Sequence, residues 1–287
     1  MLGGPARPTL RDLWTPEDEE DVRAFLDAVS REDLLGALSA IEGTAAAERL
    51  EDEAQLTAWA AVAARRLLVL PSKGPFALSR LLRGLLVDEL DFRGDPEDYS
   101  STRNCCIHQV LARRKGMPIL LACVWVEVGA RAGIPVEGVG MPGHFLVRVG
   151  GAAGVHVDAF AGGQELSREG CRSLHDRIAG TKARWSDDFL RASATDQIVE
   201  RVLNNLSATT REERDAAGSY RVATFLSALR PLSPERTLQK AMTAAAVGVT
   251  EEAATVFADV IERFPDSPEA ERASQGLDSL AEGTTVH

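Results

Sequence analysis

A continuously apolar tract in the middle of the sequence limits the possible folds more than any other feature. It starts at Pro118 and stays apolar through Val126, and the helical pattern continues to Ala132. Proline suits the first turn of a helix, where its missing N–H is not needed, and the following Gly133-Ile-Pro135 is a helix stop. We therefore predict a buried central helix over 118–132, against which the other elements pack.

Alternating apolar and polar residues follow this tract. His144–Val149 and Val155–Phe160 alternate with a period of two, and the Gly-rich segment 150–154 between them indicates a hairpin turn. Residues 136–140 predict a third short strand. The sequence therefore predicts an α+β fold in which the central helix packs on a small antiparallel sheet.

Helical patterns occupy both ends of the chain. After a polar lead-in over residues 1–15, Thr15 and Pro16 are typical of a helix start, and from about residue 196 the pattern is helical again. We predict three parts: an N-terminal helical region over 1–70, a core over 71–190 and a C-terminal helical region over 191–287.

The C-terminal region contains a short repeat. Pro231-Leu-Ser-Pro-Glu235 recurs as Pro265-Asp-Ser-Pro-Glu269, 34 residues later. This period is typical of tetratricopeptide helical hairpins, which present concave surfaces to partners. The alternative is an ordinary helical subdomain in which the repeated sequence arose by chance.

Composition excludes several function classes. The net charge of −11 and the absence of a basic run longer than Arg113-Arg114-Lys115 argue against nucleic acid and anionic membranes as partners. No stretch is long and apolar enough to cross a bilayer, and the start of the chain lacks a secretory signal pattern. The four cysteines are too few for a disulfide framework, so we expect a reducing cytoplasmic location.

His144 and Asp158 are the strongest candidates for chemistry. If Val149 pairs with Ala153 they lie opposite each other, and if Val149 pairs with Val155 they are diagonal neighbours. In both registers they share one face of the sheet with His156. A carboxylate beside an imidazole orients the ring, as in nucleophile–His–Asp triads. The alternative is a pair that only satisfies two polar groups.

Four ordered motifs carry a family resemblance. They are Arg114-Lys-Gly-Met-Pro118, Arg131-Ala-Gly-Ile-Pro135, Pro142-Gly-His-Phe-Leu-Val147 and Val157-Asp-Ala-Phe-Ala-Gly-Gly163. Over roughly residues 70–175 the chain resembles the transglutaminase-like core, most closely its SirB-type bacterial branch, which joins this core to a tetratricopeptide-like tail.

The resemblance implies a papain-like fold with a Cys–His–Asp triad. The family's cysteine begins the central helix, one helix length before the Gly-Ile-Pro motif, and Pro118 stands at that position. His144 and Asp158 match the histidine and aspartate. Proline has no nucleophilic group, so the resemblance implies a vestigial His–Asp pair without its nucleophile.

The four cysteines of the chain are the candidates for a substitute nucleophile. Cys105 and Cys106 follow Asn104, which we expect to cap a short helix over 105–114, so one of these thiols could gain from a helix N-terminus. Cys123 reads as a buried structural thiol, and Cys171 lies beyond the hairpin.

The expected pocket and cofactor content complete the predicted site. The predicted pocket residues are Asn104, Gly143, Phe145 and His156. No spacing typical of zinc ligands occurs, and we predict neither a metal site nor a cofactor.

The sequence therefore favours a non-catalytic transglutaminase-like protein that binds a protein or peptide partner. A regulatory protein with its partner surface in the acidic N-terminal helices is a variant of this hypothesis. The alternative is a cysteine-dependent acyl transferase or peptidase that uses a non-standard thiol with His144 and Asp158.

Overall fold

Helices form most of the structure, a computed structural model that describes residues 16–179 and 184–284. The predicted lead-in over residues 1–15, with the cap at Thr15, lies outside the described residues. The α-helices are α1 (Pro16–Ser30), α2 (Leu34–Glu42), α3 (Ala46–Val69), α4 (Pro75–Arg83), α5 (Ile107–Arg113), α6 (Pro118–Ala132), α7 (Arg168–Ala179), α8 (Thr195–Glu212), α9 (Ala216–Leu229), α10 (Pro234–Ala246), α11 (Thr250–Arg263) and α12 (Pro268–Thr284). A π-helical turn (Gly84–Glu89) extends α4.

Two small sheets accompany the helices. Their strands are β1 (Arg93–Gly94), β2 (Lys115–Gly116), β3 (Val136–Met141), β4 (His144–Val149), β5 (Val155–Asp158) and β6 (Gln164–Leu166). β1 and β2 form a parallel pair, and β3 to β6 form an antiparallel sheet in sequence order. This combination agrees with the predicted α+β class; β6 is an edge strand that the sequence patterns did not predict.

The central helix α6 has the predicted limits. Pro118 occupies its first position, and Gly133 ends it in the left-handed conformation with a φ of 72°. Apolar residues surround the helix axis, as expected for a helix that is buried on all sides. α6 packs against α3, β3 and β4, and Trp125 is among its fully buried side chains.

The contacts divide the chain into two compact units. One comprises residues 28–202, and the other comprises 203–287 together with 1–27. The predicted division into three parts stays a prediction. No helix in the described ranges is long and apolar enough to cross a membrane.

The second unit has a core of its own. Tyr220, Leu238 and Phe257 are buried in it, and the ring centroids of Phe25 and Phe225 lie 5.2 Å apart. Its helices recur with the spacing of the sequence repeat: α11 starts 34 residues after α9, and α12 starts 34 residues after α10.

A half-buried carboxylate connects the end of α2 with the start of α5 in the first unit. Glu42 accepts hydrogen bonds from the backbone N–H groups of Ile107 and His108. Cys106, the N-cap residue of α5, makes no side-chain capping bond, so Glu42 supplies the cap from a distant part of the chain. Burial raises the pKa of Glu42 to about 8, and the neighbouring Asp52 adds to the rise, whereas the two N–H donors oppose it.

The raised pKa predicts a pH dependence of stability. Because the folded pKa of about 8 exceeds the ordinary 4.5, the contribution of Glu42 is complete below pH 4.5 and is lost as the pH rises through 8. Glu42→Gln is neutral at every pH. We therefore expect the free energy of unfolding of the unaltered chain, measured by urea denaturation, to fall more steeply from pH 5 to pH 8 than that of Glu42→Gln, by up to about 1.4 kcal/mol per pH unit.

The control for this measurement is Glu53→Gln, which removes an exposed carboxylate from α3. It should retain the slope of the unaltered chain. Asp52 and His108, whose side chains lie 3.1 Å apart, are retained in all three proteins. Equal slopes for the unaltered chain and Glu42→Gln would contradict the assignment.

Candidate functional site

The hairpin of β4 and β5 adopts the second of the two predicted registers. Val149 pairs with Val155, and Arg148 pairs with His156. Gly150 and Gly151 have φ values of 98° and 79°, which only glycine adopts readily, so the turn between the strands depends on them. In this register Asp158, at the end of β5, is a diagonal neighbour of His144 at the start of β4.

The structure brings His144 and Asp158 into direct contact. Their Nε2 and Oδ2 atoms lie 2.9 Å apart, and the two residues are 9% and 4% exposed. The second oxygen of Asp158 accepts the N–H groups of Phe160 and Ala161 at 3.0 and 3.1 Å. A carboxylate that faces Nε2 favours the proton on that nitrogen, which leaves Nδ1 as the acceptor of the neutral ring.

Aromatic rings border the pair on one side. The ring of Phe160 lies edge-on to His144 and to Tyr99, with centroid distances of 6.3 and 5.9 Å. Position 94 requires glycine, because a Cβ there would lie 2.6 Å from the Phe160 ring. The segment 91–99 therefore contributes Tyr99 to the surroundings of His144, and Tyr99 was not among the predicted pocket residues.

Arg201 is a second residue near His144 that the sequence analysis missed. Its Nη2 donates a hydrogen bond of 2.8 Å to the main-chain oxygen of His144, and its guanidinium carbon lies 5.5 Å from the ring centroid of Phe145. Arg201 belongs to α8 and follows His144 by 57 residues. No sequence pattern links two residues so far apart, so no available signal could have found it.

Pro118 is buried at the first position of α6. The residue before it, Met117, occupies the N-cap position of the helix. Its N–H donates to the main-chain oxygen of Asn104 at 3.0 Å. The helix start is therefore fixed by backbone contacts that do not require a side chain at position 118. That Pro118 faces the imidazole of His144 stays a prediction.

The predicted role of Asn104 as a helix cap is wrong. α5 begins at Ile107, with Cys106 at its N-cap, and residues 102–104 form a separate 3-10 turn. The fully buried Asn104 side chain donates to the main-chain oxygen of Asp98 at 2.6 Å and accepts from Arg113 at 3.0 Å. These two bonds hold the loop before α5, so the amide is unavailable as a cap.

None of the four cysteines forms a disulfide within the described residues, and their surroundings differ. Cys105 is buried, with its Sγ 3.2 Å from the Sδ of Met117, and Cys106 is partly exposed at the start of α5. Burial raises the pKa of Cys123, and burial followed by the charge of Asp158 raises that of Cys171 to about 11. A raised pKa lowers the fraction of reactive thiolate at neutral pH.

The remaining predicted pocket residues occupy three different positions. Gly143 lies in the turn before His144 with a φ of 75°, and Phe145 is buried beside Arg201. His156 lies opposite Arg148, and its Nε2 has no hydrogen-bond partner within the described part of the chain. Burial lowers the pKa of His156, and the charge of Arg148 adds to this effect.

The described ranges also contain the residue types that commonly bind metal ions. No group of three or more His, Cys, Asp or Glu residues there is arranged to hold a metal ion.

Comparison with known proteins places the chain among transglutaminase-like relatives. A family profile described as the transglutaminase-like superfamily matches residues 51–204. A UPF0162 protein of Xylella fastidiosa is 37% identical over 158 residues, which are 52% of this chain and 55% of that protein. A UPF0162 protein of Vibrio cholerae is 30% identical over 188 residues, which are 62% of this chain and 69% of that protein.

A shorter match involves a eukaryotic protein. F-box only protein 21 of Mus musculus is 37% identical over 99 residues, which are 31% of this chain and 16% of that protein. The chain spans about half the length of the Xylella relatives. No solved structure matches the chain significantly. Because the family profile covers just over half of the 287 residues, the chain belongs to the transglutaminase-like superfamily, and UPF0162 proteins are among its relatives.

Proposed function

We propose that this chain binds a protein or peptide partner as a SirB-type transglutaminase-like protein without acyl-transfer chemistry. The observation that carries the proposal is the buried Pro118 at the first position of α6. The resemblance assigns that position to the catalytic cysteine, and proline has no group that attacks an acyl carbon. Loss of a triad nucleophile leaves only the residual contributions of binding and oxyanion stabilisation.

The surroundings of the thiols support a non-catalytic role. Cys105, Cys123 and Cys171 are buried, and burial raises the pKa of the last two. A catalytic thiol requires the opposite: partial exposure and a pKa lowered by a nearby cation or helix N-terminus. Four cysteines without a disulfide in the described part of the chain suit a reducing cytoplasm, and the cytoplasmic location is part of the proposal.

The C-terminal helices support a binding role. α9 and α10 recur as α11 and α12 at the 34-residue spacing of tetratricopeptide hairpins. Ser233 and Ser267 occupy equivalent places before α10 and α12, and each accepts a backbone N–H three residues ahead. Stacked helical hairpins of this kind present a surface to partner peptides.

One observation favours the enzymatic alternative. Cys106 is partly exposed at the N-cap of α5, and a helix N-terminus stabilises a thiolate. A cysteine-dependent acyl transferase or peptidase would therefore act through Cys106 with His144 and Asp158.

Alkylation kinetics separate the two functions. With iodoacetamide at pH 7.5 we expect Cys106 to react no faster than a small free thiol. Cys105, Cys123 and Cys171 should react at least roughly tenfold more slowly in the folded chain than in urea, because burial limits access and thiolate formation. His144→Ala should leave all four rates unchanged, as read by mass spectrometry of the peptides.

The matched control is His156→Ala, which removes a histidine from the next strand. If any cysteine reacted at least about tenfold faster than a free thiol, and His144→Ala but not His156→Ala abolished this, the thiol would be activated by His144. The non-catalytic proposal would then be wrong.

Restoring a thiol tests where the lost nucleophile belongs. In Pro118→Cys we expect a thiol pKa about 1–3 units below the ordinary value of about 8.5, because a helix N-terminus and a nearby imidazole both stabilise the thiolate. Adding His144→Ala should raise that pKa again. The pH dependence of the alkylation rate at this residue gives both values.

Pro75→Cys is the matched control, because Pro75 also occupies the first position of a helix, α4. The helix N-terminus alone should lower the pKa of its thiol, and His144→Ala should not change that pKa. If His144→Ala also left the thiol pKa of Pro118→Cys unchanged, Pro118 would not face the imidazole.

A further inference from the structure

Arg201 carries a charge that no acidic group neutralises in the described part of the chain. It is half-buried, and its interactions there are one hydrogen bond to the main-chain oxygen of His144 and the contact with the Phe145 ring. A guanidinium has five N–H donors, so most of its donors have no protein acceptor. By contrast, Arg113 and Arg148 in the same unit pair with Asp95 and Glu137.

An unneutralised, partly buried charge requires a physical reason. Burial lowers the pKa of Arg201, which reflects the energy of withdrawing the cation from water, and Tyr99 opposes this effect. Buried charges in proteins are normally paired or bound to a ligand. An anion that is not part of the described chain would supply the missing partner.

A second hydrogen-bond donor lies beside Arg201. A Cβ built on Gly140 would lie 3.2 Å from the hydroxyl oxygen of Ser193 and 3.3 Å from Nη1 of Arg201, so both groups border one point on β3. Ser193 is held there by its N–H, which donates to the main-chain oxygen of Gly138 at 2.8 Å. Its hydroxyl oxygen accepts the N–H of Gly140 at 3.2 Å, which leaves the hydroxyl proton available for another acceptor.

We propose that Arg201 and Ser193 bind the carboxylate of a peptide ligand beside Gly140, next to the main chain of His144. A guanidinium presents two parallel N–H groups that match the two oxygens of a carboxylate, and the serine hydroxyl adds a third donor. The inference rests on the proposed protein- or peptide-binding function and names the chemical group that the site recognises.

The charge of the site favours a carboxylate over a phosphate. Arg201 is the cation that borders Gly140, and the arginine on β4, Arg148, is already paired with Glu137. Doubly charged phosphates are usually held by several arginines or lysines, whereas one arginine neutralises one carboxylate. The carboxylate could be a C-terminus or an acidic side chain.

Thermal unfolding of the full chain with small carboxylates tests the proposal. The probes are N-acetyl-Gly-Gly, which has a free carboxylate, its C-terminal amide, and N-acetylglutamate amide, which has only a side-chain carboxylate. All are compared at constant ionic strength. A ligand that binds the folded state raises the unfolding temperature with its concentration. We expect at least one carboxylate probe to stabilise the chain and the amide of N-acetyl-Gly-Gly to have no effect.

Substitutions at the site should weaken this response. Arg201→Gln should weaken the apparent affinity for the carboxylate probe by roughly tenfold, and Ser193→Ala by a smaller factor. Arg201→Lys keeps the charge but not the forked donors, so its affinity should be intermediate. The control is Arg191→Gln, whose arginine is exposed and paired with Asp188 at 2.8 Å, and it should respond like the unaltered chain.

Several results would overturn the proposal. These are equal stabilisation of the unaltered chain and Arg201→Gln, stabilisation by the amide, and no response to either carboxylate up to about 50 mM. If Arg201→Gln does not fold, the comparison with Arg201→Lys decides in the same way, and equal affinity would exclude forked recognition. A response to one carboxylate probe alone supports the proposal and identifies the source as a C-terminus or an acidic side chain.

A failure of the carboxylate proposal can be distinguished from a failure of the proposed non-catalytic function. Absence of carboxylate binding would leave the non-catalytic binding role intact, because a peptide could dock without this contact. Conversely, rapid His144-dependent alkylation would exclude the non-catalytic role and would not alter the carboxylate response.

Discussion

The hydrogen bond between His144 and Asp158 is the interaction on which the rest of the site depends. Asp158 can be buried because one oxygen meets the imidazole and the other accepts two backbone N–H groups. Removal of either partner would leave a buried polar group unsatisfied, which destabilises a protein far more than loss of an exposed pair. The same turn positions Phe160 against Gly94 and His144. The pair therefore has a structural role that does not require a nucleophile, and its presence alone is no argument for catalysis.

Pro118 shows how the fold tolerates a residue without chemical function at a position that the resemblance assigns to a nucleophile. The first N–H groups of a helix have no partner within the helix, so the missing N–H of proline removes no helical bond there. Met117 instead donates to the main chain of Asn104, which fixes the approach to the helix. Glu42 completes the start of α5 in a comparable way, because it caps a helix whose own N-cap residue makes no side-chain capping bond. Both helix starts are thus fixed by contacts from elsewhere in the unit.

Sequence patterns predicted the parts of the structure that depend on local order. The limits of α6 follow from Pro118 and Gly133, and the hairpin follows from alternation around a glycine-rich turn. The sequence patterns alone did not determine the register of β4 and β5, because both registers place His144 and Asp158 on one face. The structure pairs Val149 with Val155. Asn104 was misassigned since an asparagine before a helix is a common cap, whereas here Asp98 and Arg113 occupy its amide. No sequence pattern indicates the Arg201 contact, because the contacting residues are far apart in the chain.

The polar groups around His144 differ in what they require from outside the chain. Asp158 has its hydrogen bonds supplied by His144 and by two backbone N–H groups, so it holds the shape of the site. Arg201 has one such bond and no neutralising partner among the described residues. The proposed binding function requires groups whose hydrogen-bond donors are not already used within the chain. Arg201 and Ser193 are such groups, whereas His144 and Asp158 satisfy each other. The proposed carboxylate recognition therefore depends on Arg201 and Ser193, which lie outside the triad positions that the resemblance assigns, although Arg201 donates to the main-chain oxygen of His144.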